Sequence, residues 1–202
     1  MNITNQVFHF LFQILLRLTG LKHRFKNLRN VLLYINNEHK KPALEFDSLP
    51  SLKLKSSISK TIVNDMSVYL INENASHQTS IIYFHGGAFI NQPLPQHFNL
   101  VDSIAQLTES TIIFPCYSRL PDSNEVHCLT QLNSYIEKFI EEKPNNRLIL
   151  MGDSAGGWLA LSIATFLRNQ HKKTPEQLIL FSPWCDLSMS DVNENLEKKD
   201  PI

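Results

Sequence analysis

Leu148-Ile149-Leu150-Met151, then Gly152-Asp153-Ser154-Ala155-Gly156-Gly157, then a run from Trp158 to Leu167, form one unbroken stretch. The four apolar residues bounded by glycine read as a short buried strand, and the run after Gly157 has the length and pattern of a helix. Between them stands Gly-x-Ser-x-Gly. A serine on a sharp strand-to-helix turn is held in a strained backbone conformation with Oγ exposed above the sheet, and Gly152 and Gly156 lie where the two backbones pass too close for side chains. The helix N-terminus beside the serine also favours negative charge developing there. Ser154 is therefore the candidate nucleophile, with Asp153 and Ala155 flanking it. The competing reading is an ordinary turn that contains a serine. The strand before, the helix after and the third glycine argue against it.

Glycine is scarce in the rest of the chain. Of six glycines, three are Gly152, Gly156 and Gly157, and two more are Gly86 and Gly87. Ser80–Phe84 reads as a second short apolar strand, and His85-Gly86-Gly87-Ala88-Phe89 follows it. Adjacent glycines after a buried strand leave backbone N–H groups free to face a ligand. An oxyanion hole needs this arrangement, with fixed donors where negative charge develops. Gly86 and Gly87, with the Ala155 N–H, are the expected donors. His85 is read as bracing the loop rather than as a base.

The 202 residues suit one domain with a sizeable core, and 43% hydrophobic content is that of a globular chain. A formal net charge of zero offers no basic face for nucleic acid. Three cysteines, Cys116, Cys128 and Cys185, lack metal-ligand spacing, and eight histidines are scattered. The thiols read as free in a reducing, cytoplasmic compartment, and no metal or organic cofactor is implied.

Residues 3–21 are strongly apolar, with Gln6, His9, Gln13 and Arg17 as a polar stripe at helical spacing. The stretch lacks a basic leader and a small-residue cleavage site, and it is too short and interrupted to span a bilayer. It reads as a helix packed on the domain or lidding a pocket. A peripheral membrane contact, aided by Lys22, His23, Arg24 and Lys26, is the alternative. Residues 22–41 predict a second, basic helix with Leu28, Leu32 and Ile35 on one side, and Pro42 and Pro50 mark a connection.

Further along, Ser56–Val63 and Met66–Ile71 predict antiparallel strands joined at Asn64-Asp65. His97–Thr108 predicts a helix and Thr111–Pro115 a buried strand. Asn124–Glu142 predicts an amphipathic helix with Val126, Leu129, Leu132, Tyr135, Ile136, Phe139 and Ile140 facing the core. Gln177–Phe181 predicts a further buried strand. Short apolar strands alternating with amphipathic helices mean an α/β fold with a mostly parallel sheet. Loops at the carboxyl ends of its strands, at His85, Tyr117, Ser154 and Pro183, carry the chemistry.

Four landmarks in that order resemble the α/β-hydrolase superfamily, in its hormone-sensitive-lipase-like branch of esterases and lipases. His85–Phe89 resembles the branch's His-Gly-Gly-Gly loop, and Tyr117–Asp122 a shortened Tyr-Arg-Leu-Ala-Pro-Glu loop. Gly152–Gly157 matches Gly-Asp-Ser-Ala-Gly-Gly without a change, and Ser182–Ser188 is similar to Ser-Pro-Trp-x-Asp-Leu-Ser. The resemblance covers residues 45–202. It implies an α/β-hydrolase core over 43–202, an N-terminal helical cap over 1–42, and Ser154 as nucleophile. The implied chemistry is hydrolysis of small uncharged esters through an acyl-enzyme. Ala88 in place of the last loop glycine is expected to be tolerated, because the donors are backbone groups.

One departure is large. In this fold the triad runs Ser, acid, His along the chain. Only forty-eight residues follow Ser154, and they hold one histidine, His171, past the elbow helix. Fifteen helical residues span about 22 Å, whereas a base must come within about 3 Å. His171 is therefore excluded. Asp186 reads as a structural loop carboxylate, though its place leaves an acid role open. The Lys198–Ile202 ending resembles the lead-in to a further cap helix, so the expectation is an esterase whose last strands are missing. An inactive or ligand-binding remnant, and a separate chain supplying acid and histidine, are the alternatives. The Gln177–Phe181 strand would then be an exposed edge prone to self-association.

Overall fold

The computed structural model of the chain describes residues 28–41 and 54–187. They fall into two compact units, with 54–185 in one and 28–41 and 186–187 in the other. The apolar stretch at 3–21, the connection marked by Pro42 and Pro50, and the Lys198–Ile202 ending lie outside the described residues. In the smaller unit, α1 (Leu28–His39) carries Leu28 and Leu32 on one side as expected, both exposed.

The larger unit holds six strands, β1 (Ile58–Val63), β2 (Met66–Ile71), β3 (Thr79–Phe84), β4 (Thr111–Cys116), β5 (Arg147–Asp153) and β6 (Gln177–Phe181). Three helices, α2 (Pro95–Thr108), α3 (Glu125–Glu142) and α4 (Ala155–Asn169), connect them. The sheet order is β1-β2-β4-β3-β5-β6. β1, β2 and β4 pair antiparallel, whereas β4-β3, β3-β5 and β5-β6 are parallel. The hairpin turns at Asn64 and Asp65, both with positive φ, which is the geometry a two-residue hairpin loop needs.

The central strands β3, β4 and β5 are buried on both faces, so they are apolar throughout rather than alternating. Ile82, Phe84, Leu148 and Leu150 pack with Leu132 and Ile136 of α3 and Leu159 and Ile163 of α4. Their neighbours Ile81, Tyr83, Ile149 and Met151 point the other way, onto Phe98, Val101 and Ala105 of α2. The result is three layers, with β3 and β5 at the centre and their carboxyl ends side by side.

One expectation changes, and of two readings of β6 one holds. Val126 was expected in the core but is 63% exposed, whereas Cys128 is fully buried. Asn124 caps α3 by accepting the His127 N–H at 2.9 Å, and Val126 falls in that first turn, on its open side. β6 was read as buried from its composition and as an exposed edge if the last strands are missing; Leu178 and Phe181 are 37% and 45% exposed, in line with the edge. Among the described residues only β5 pairs with it, so an apolar strand sits at an edge.

Candidate active site

The carboxyl ends of β3 and β5 lie in register, Phe84 opposite Gly152, which brings the Gly86-Gly87 loop beside Ser154. Ser154 has φ 50 and ψ −118. A non-glycine residue there stores strain of about 1–3 kcal/mol. The turn is held from several sides. The Ser154 N–H donates to the Phe181 carbonyl at 3.0 Å, and the Ser154 carbonyl accepts from Trp184 at 2.9 Å and Trp158 at 3.2 Å. A Cβ on Gly156 would lie 2.0 Å from the Phe84 carbonyl oxygen, and one on Gly152 2.5 Å from that of Gly156. Only glycine lets α4 start so close to the sheet. The Ser154 hydroxyl is half-buried and has no hydrogen-bond partner among the described residues.

Asp153 ties the serine turn to the Gly86-Gly87 loop. Its Oδ1 accepts the Gly86 N–H at 2.8 Å and the Tyr83 hydroxyl at 2.8 Å. Its Oδ2 faces His97 Nε2 at 3.7 Å. Burial alone would raise the Asp153 pKa, but His97, the Tyr83 hydroxyl and the Gly86 N–H outweigh it and hold the carboxyl below its ordinary value. Burial, reinforced by that carboxylate, pushes the Tyr83 phenol far above its usual range.

These contacts correct one expected role. Gly86 was expected to offer its N–H to an oxyanion, but that N–H is already donated to Asp153. The N–H groups of Gly87 and Ala88 have no partner among the described residues, and the loop turns at Gly87 (φ 133), Ala88 (φ 54) and Phe89 (φ 58). Ala155 is the first residue of α4, where an N–H has no partner within the helix.

The loop leaving β4 braces the same segment from its other side. The Tyr117 hydroxyl donates to the His85 carbonyl. Arg119 donates to the Ile90 carbonyl at 2.8 Å, and the Leu120 N–H to the Phe89 carbonyl at 2.8 Å. The His85 ring stacks on Tyr117 at 4.4 Å. Its Nδ1 bonds the Gly86 carbonyl at 2.7 Å, while Nε2 is buried without a partner. Burial lowers its pKa to about 3, so the ring is neutral and braces the loop. A cavity of about 230 Å³ lies among Asp65, Ser67, His85, Cys116, Arg119 and Asp122, and Ser154 does not line it. His171 is exposed beyond the end of α4.

Two members of this cluster escaped the sequence reading. Tyr83 sits in a run that scans as purely apolar, although a buried phenol needs a partner. His97 stands three residues past Leu94, in the first turn of α2 after Pro95, where a polar side chain can reach back to the chain entering the helix.

Several known proteins are similar to this chain. A triacylglycerol lipase of Mycobacterium tuberculosis is 28% identical over 198 residues, covering 93% of this chain and 45% of its own length. An acetyl esterase of Salmonella paratyphi B is 29% identical over 127 residues, covering 60% of this chain and 39% of the relative. The chain thus spans less than half the length of these curated relatives. The crystal structure of a Staphylococcus aureus protein assigned as an esterase superposes with a TM-score of 0.76 at 26% identity, over 87% of this chain and 60% of that one. The sequence profile described as the alpha/beta hydrolase fold matches residues 81–202. With that match over more than half its length, and the strand order and serine turn found in its structure, the chain belongs to the alpha/beta hydrolase fold family.

Proposed function

We propose that the protein carrying this chain hydrolyses carboxylic esters through an acyl-enzyme on Ser154. The observation that supports this most strongly is the strained Ser154 backbone, φ 50 and ψ −118, one residue from a carboxylate that holds the neighbouring Gly-rich loop. In this reading a base takes the Oγ proton and Oγ attacks the ester carbonyl. The resulting oxyanion is held by the N–H groups of Gly87, Ala88 and Ala155, with the α4 N-terminus adding favourable potential. The alcohol departs, water attacks the acyl-enzyme, and the acid is released. Neither of the two histidines beside the turn serves as that base. His85 is buried and neutral, and His97 faces Asp153. The substrate class is a small uncharged ester, by likeness to relatives named triacylglycerol lipase and acetyl esterase.

The unpartnered Ser154 hydroxyl favours a second reading, in which the 202 residues by themselves are inert or only bind a ligand. Hydrolysis of p-nitrophenyl acetate and butyrate, followed by intact mass of the trapped acyl-enzyme, separates the two. The proposal expects an acyl adduct on Ser154 and a fall in turnover of about 10⁶ in Ser154→Ala. Equal rates for wild type and variant would overturn it. A slow residual rate alone would not support it, because oxyanion donors and binding leave roughly 10³–10⁴ over water without a triad.

A further inference from the structure

We propose that His97 is a positioning residue for the oxyanion loop, acting through the Asp153 carboxylate. The inference rests on Ser154 being the nucleophile and goes beyond that reading in assigning a task to a residue outside the loop and the serine turn.

His97 Nδ1 accepts the Leu94 N–H at 2.9 Å. That bond assigns the ring proton to Nε2, which faces Asp153 Oδ2 at 3.7 Å. The separation is too long for a direct hydrogen bond, but the N–H dipole still bears on the carboxylate, because both side chains are shielded, 15% and 28% exposed. The other oxygen, Oδ1, takes the Tyr83 hydroxyl and the Gly86 N–H, each at 2.8 Å. Asp153 directly precedes Ser154 and Gly86 directly precedes Gly87, so this one carboxylate sets the offset between nucleophile and donors. It also lies against the Gly86 Cα, where an added Cβ would meet Oδ2 at 2.2 Å. Rotation of the carboxylate about its last bond would release the Gly86 N–H. Tyr83 and Gly86 hold one oxygen, and His97 holds the other against that rotation. The N-terminal turn of α2 is thereby coupled to the oxyanion loop.

The test compares His97→Leu and His97→Gln with wild type in the full chain. The readouts are the rate of Ser154 labelling by a fluorophosphonate across reagent concentrations, and amide exchange of residues 85–88. Glutamine offers an acceptor for Leu94 and a donor for Asp153 at nearly the spacing of the imidazole nitrogens. The maximal labelling rate is expected to fall about tenfold in His97→Leu, with half-saturation unchanged, and to return to within about threefold of wild type in His97→Gln. Exchange at Gly86 is expected to quicken in the leucine variant alone. Wild-type rates in His97→Leu, or a glutamine variant as slow as leucine, would overturn the proposal. If the leucine variant does not fold, His97→Asn keeps an acceptor for Leu94 while removing the atom that faces Asp153, and it is expected to behave as leucine does. Failure of wild type to react would instead count against Ser154 as nucleophile. The Gly86 exchange rate would then decide the His97 question, with no change in the variants overturning it.

Discussion

Ser154, Gly86, Ala88 and His85 each sit where one substitution has a directional consequence. A methyl on Gly86 would lie 2.2 Å from Asp153 Oδ2. Gly86→Ala is therefore expected to lower stability by about 1–3 kcal/mol and to slow Ser154 labelling, both readable on one purified variant. Ala88 is the converse case. At φ 54 its methyl is strained, so Ala88→Gly is expected to leave stability unchanged or raise it by up to about 1 kcal/mol in urea unfolding. His85 makes a pH prediction. Its pKa is about 3 in the fold and 6.5 unperturbed. As pH falls from 6.5 toward 3, the unfolded chain takes up a proton that the folded ring refuses. Stability is therefore lost on acidification through that window, by up to about 1.4 kcal/mol per pH unit. Asp153, with its pKa depressed in the fold, adds a loss of the same sign as pH falls past the ordinary carboxylate value. Urea midpoints measured from pH 7 to 4 should decline in wild type and decline less steeply in His85→Phe, which keeps a ring against Tyr117. At this scale the turn at Ser154 was legible from spacing, because glycines mark where a backbone must turn. The hydrogen bond from the Gly86 N–H to Asp153 was not legible. It depends on where the Asp153 side chain points, and that is set by Tyr83 and His97 from other elements.

Elements were more readable than side-chain roles, because β3, β4 and β5 are apolar on both faces and the helices between them repeat every three or four residues. β5 runs two residues further than expected, to Asp153, because it stays paired with β3 and β6 up to the serine turn. α2 begins at Pro95 rather than His97, since proline needs no N–H partner in a first turn. Val126 and Cys128 show the limit of periodicity, which places a stripe on a helix but not the point where the helix meets the sheet. Leu132 lies within the core, fully buried in the cluster shared by α3, α4 and the sheet. Leu132→Ala is expected to cost about 2–5 kcal/mol by differential scanning calorimetry or urea unfolding. Val126→Ala, at an exposed position, is expected to change stability by less than about 0.5 kcal/mol.

For the molecule as a whole, the mostly parallel sheet was legible in the alternation of strand and helix, but the order of its strands was not. Among the described residues β6 lies at an edge of the sheet, with Leu178 and Phe181 exposed. Such an edge favours pairing with another chain. The chain is expected to scatter light as more than its 23.2 kDa monomer mass, and Phe181→Lys should shift it toward monomer. A sharp monomer in wild type would refute this. The central claim is that the fold presents Ser154 as a reactive nucleophile, and covalent labelling tests it most directly. Protein from the native source is treated with a fluorophosphonate, digested, and the modified residue mapped by mass, with Ser154→Ala as control. The account predicts a phosphonyl group on the Ser154 peptide and none in the variant. A protein that binds the reagent's leaving group or acyl mimic yet stays unlabelled at Ser154, or one labelled equally in both forms, would contradict it.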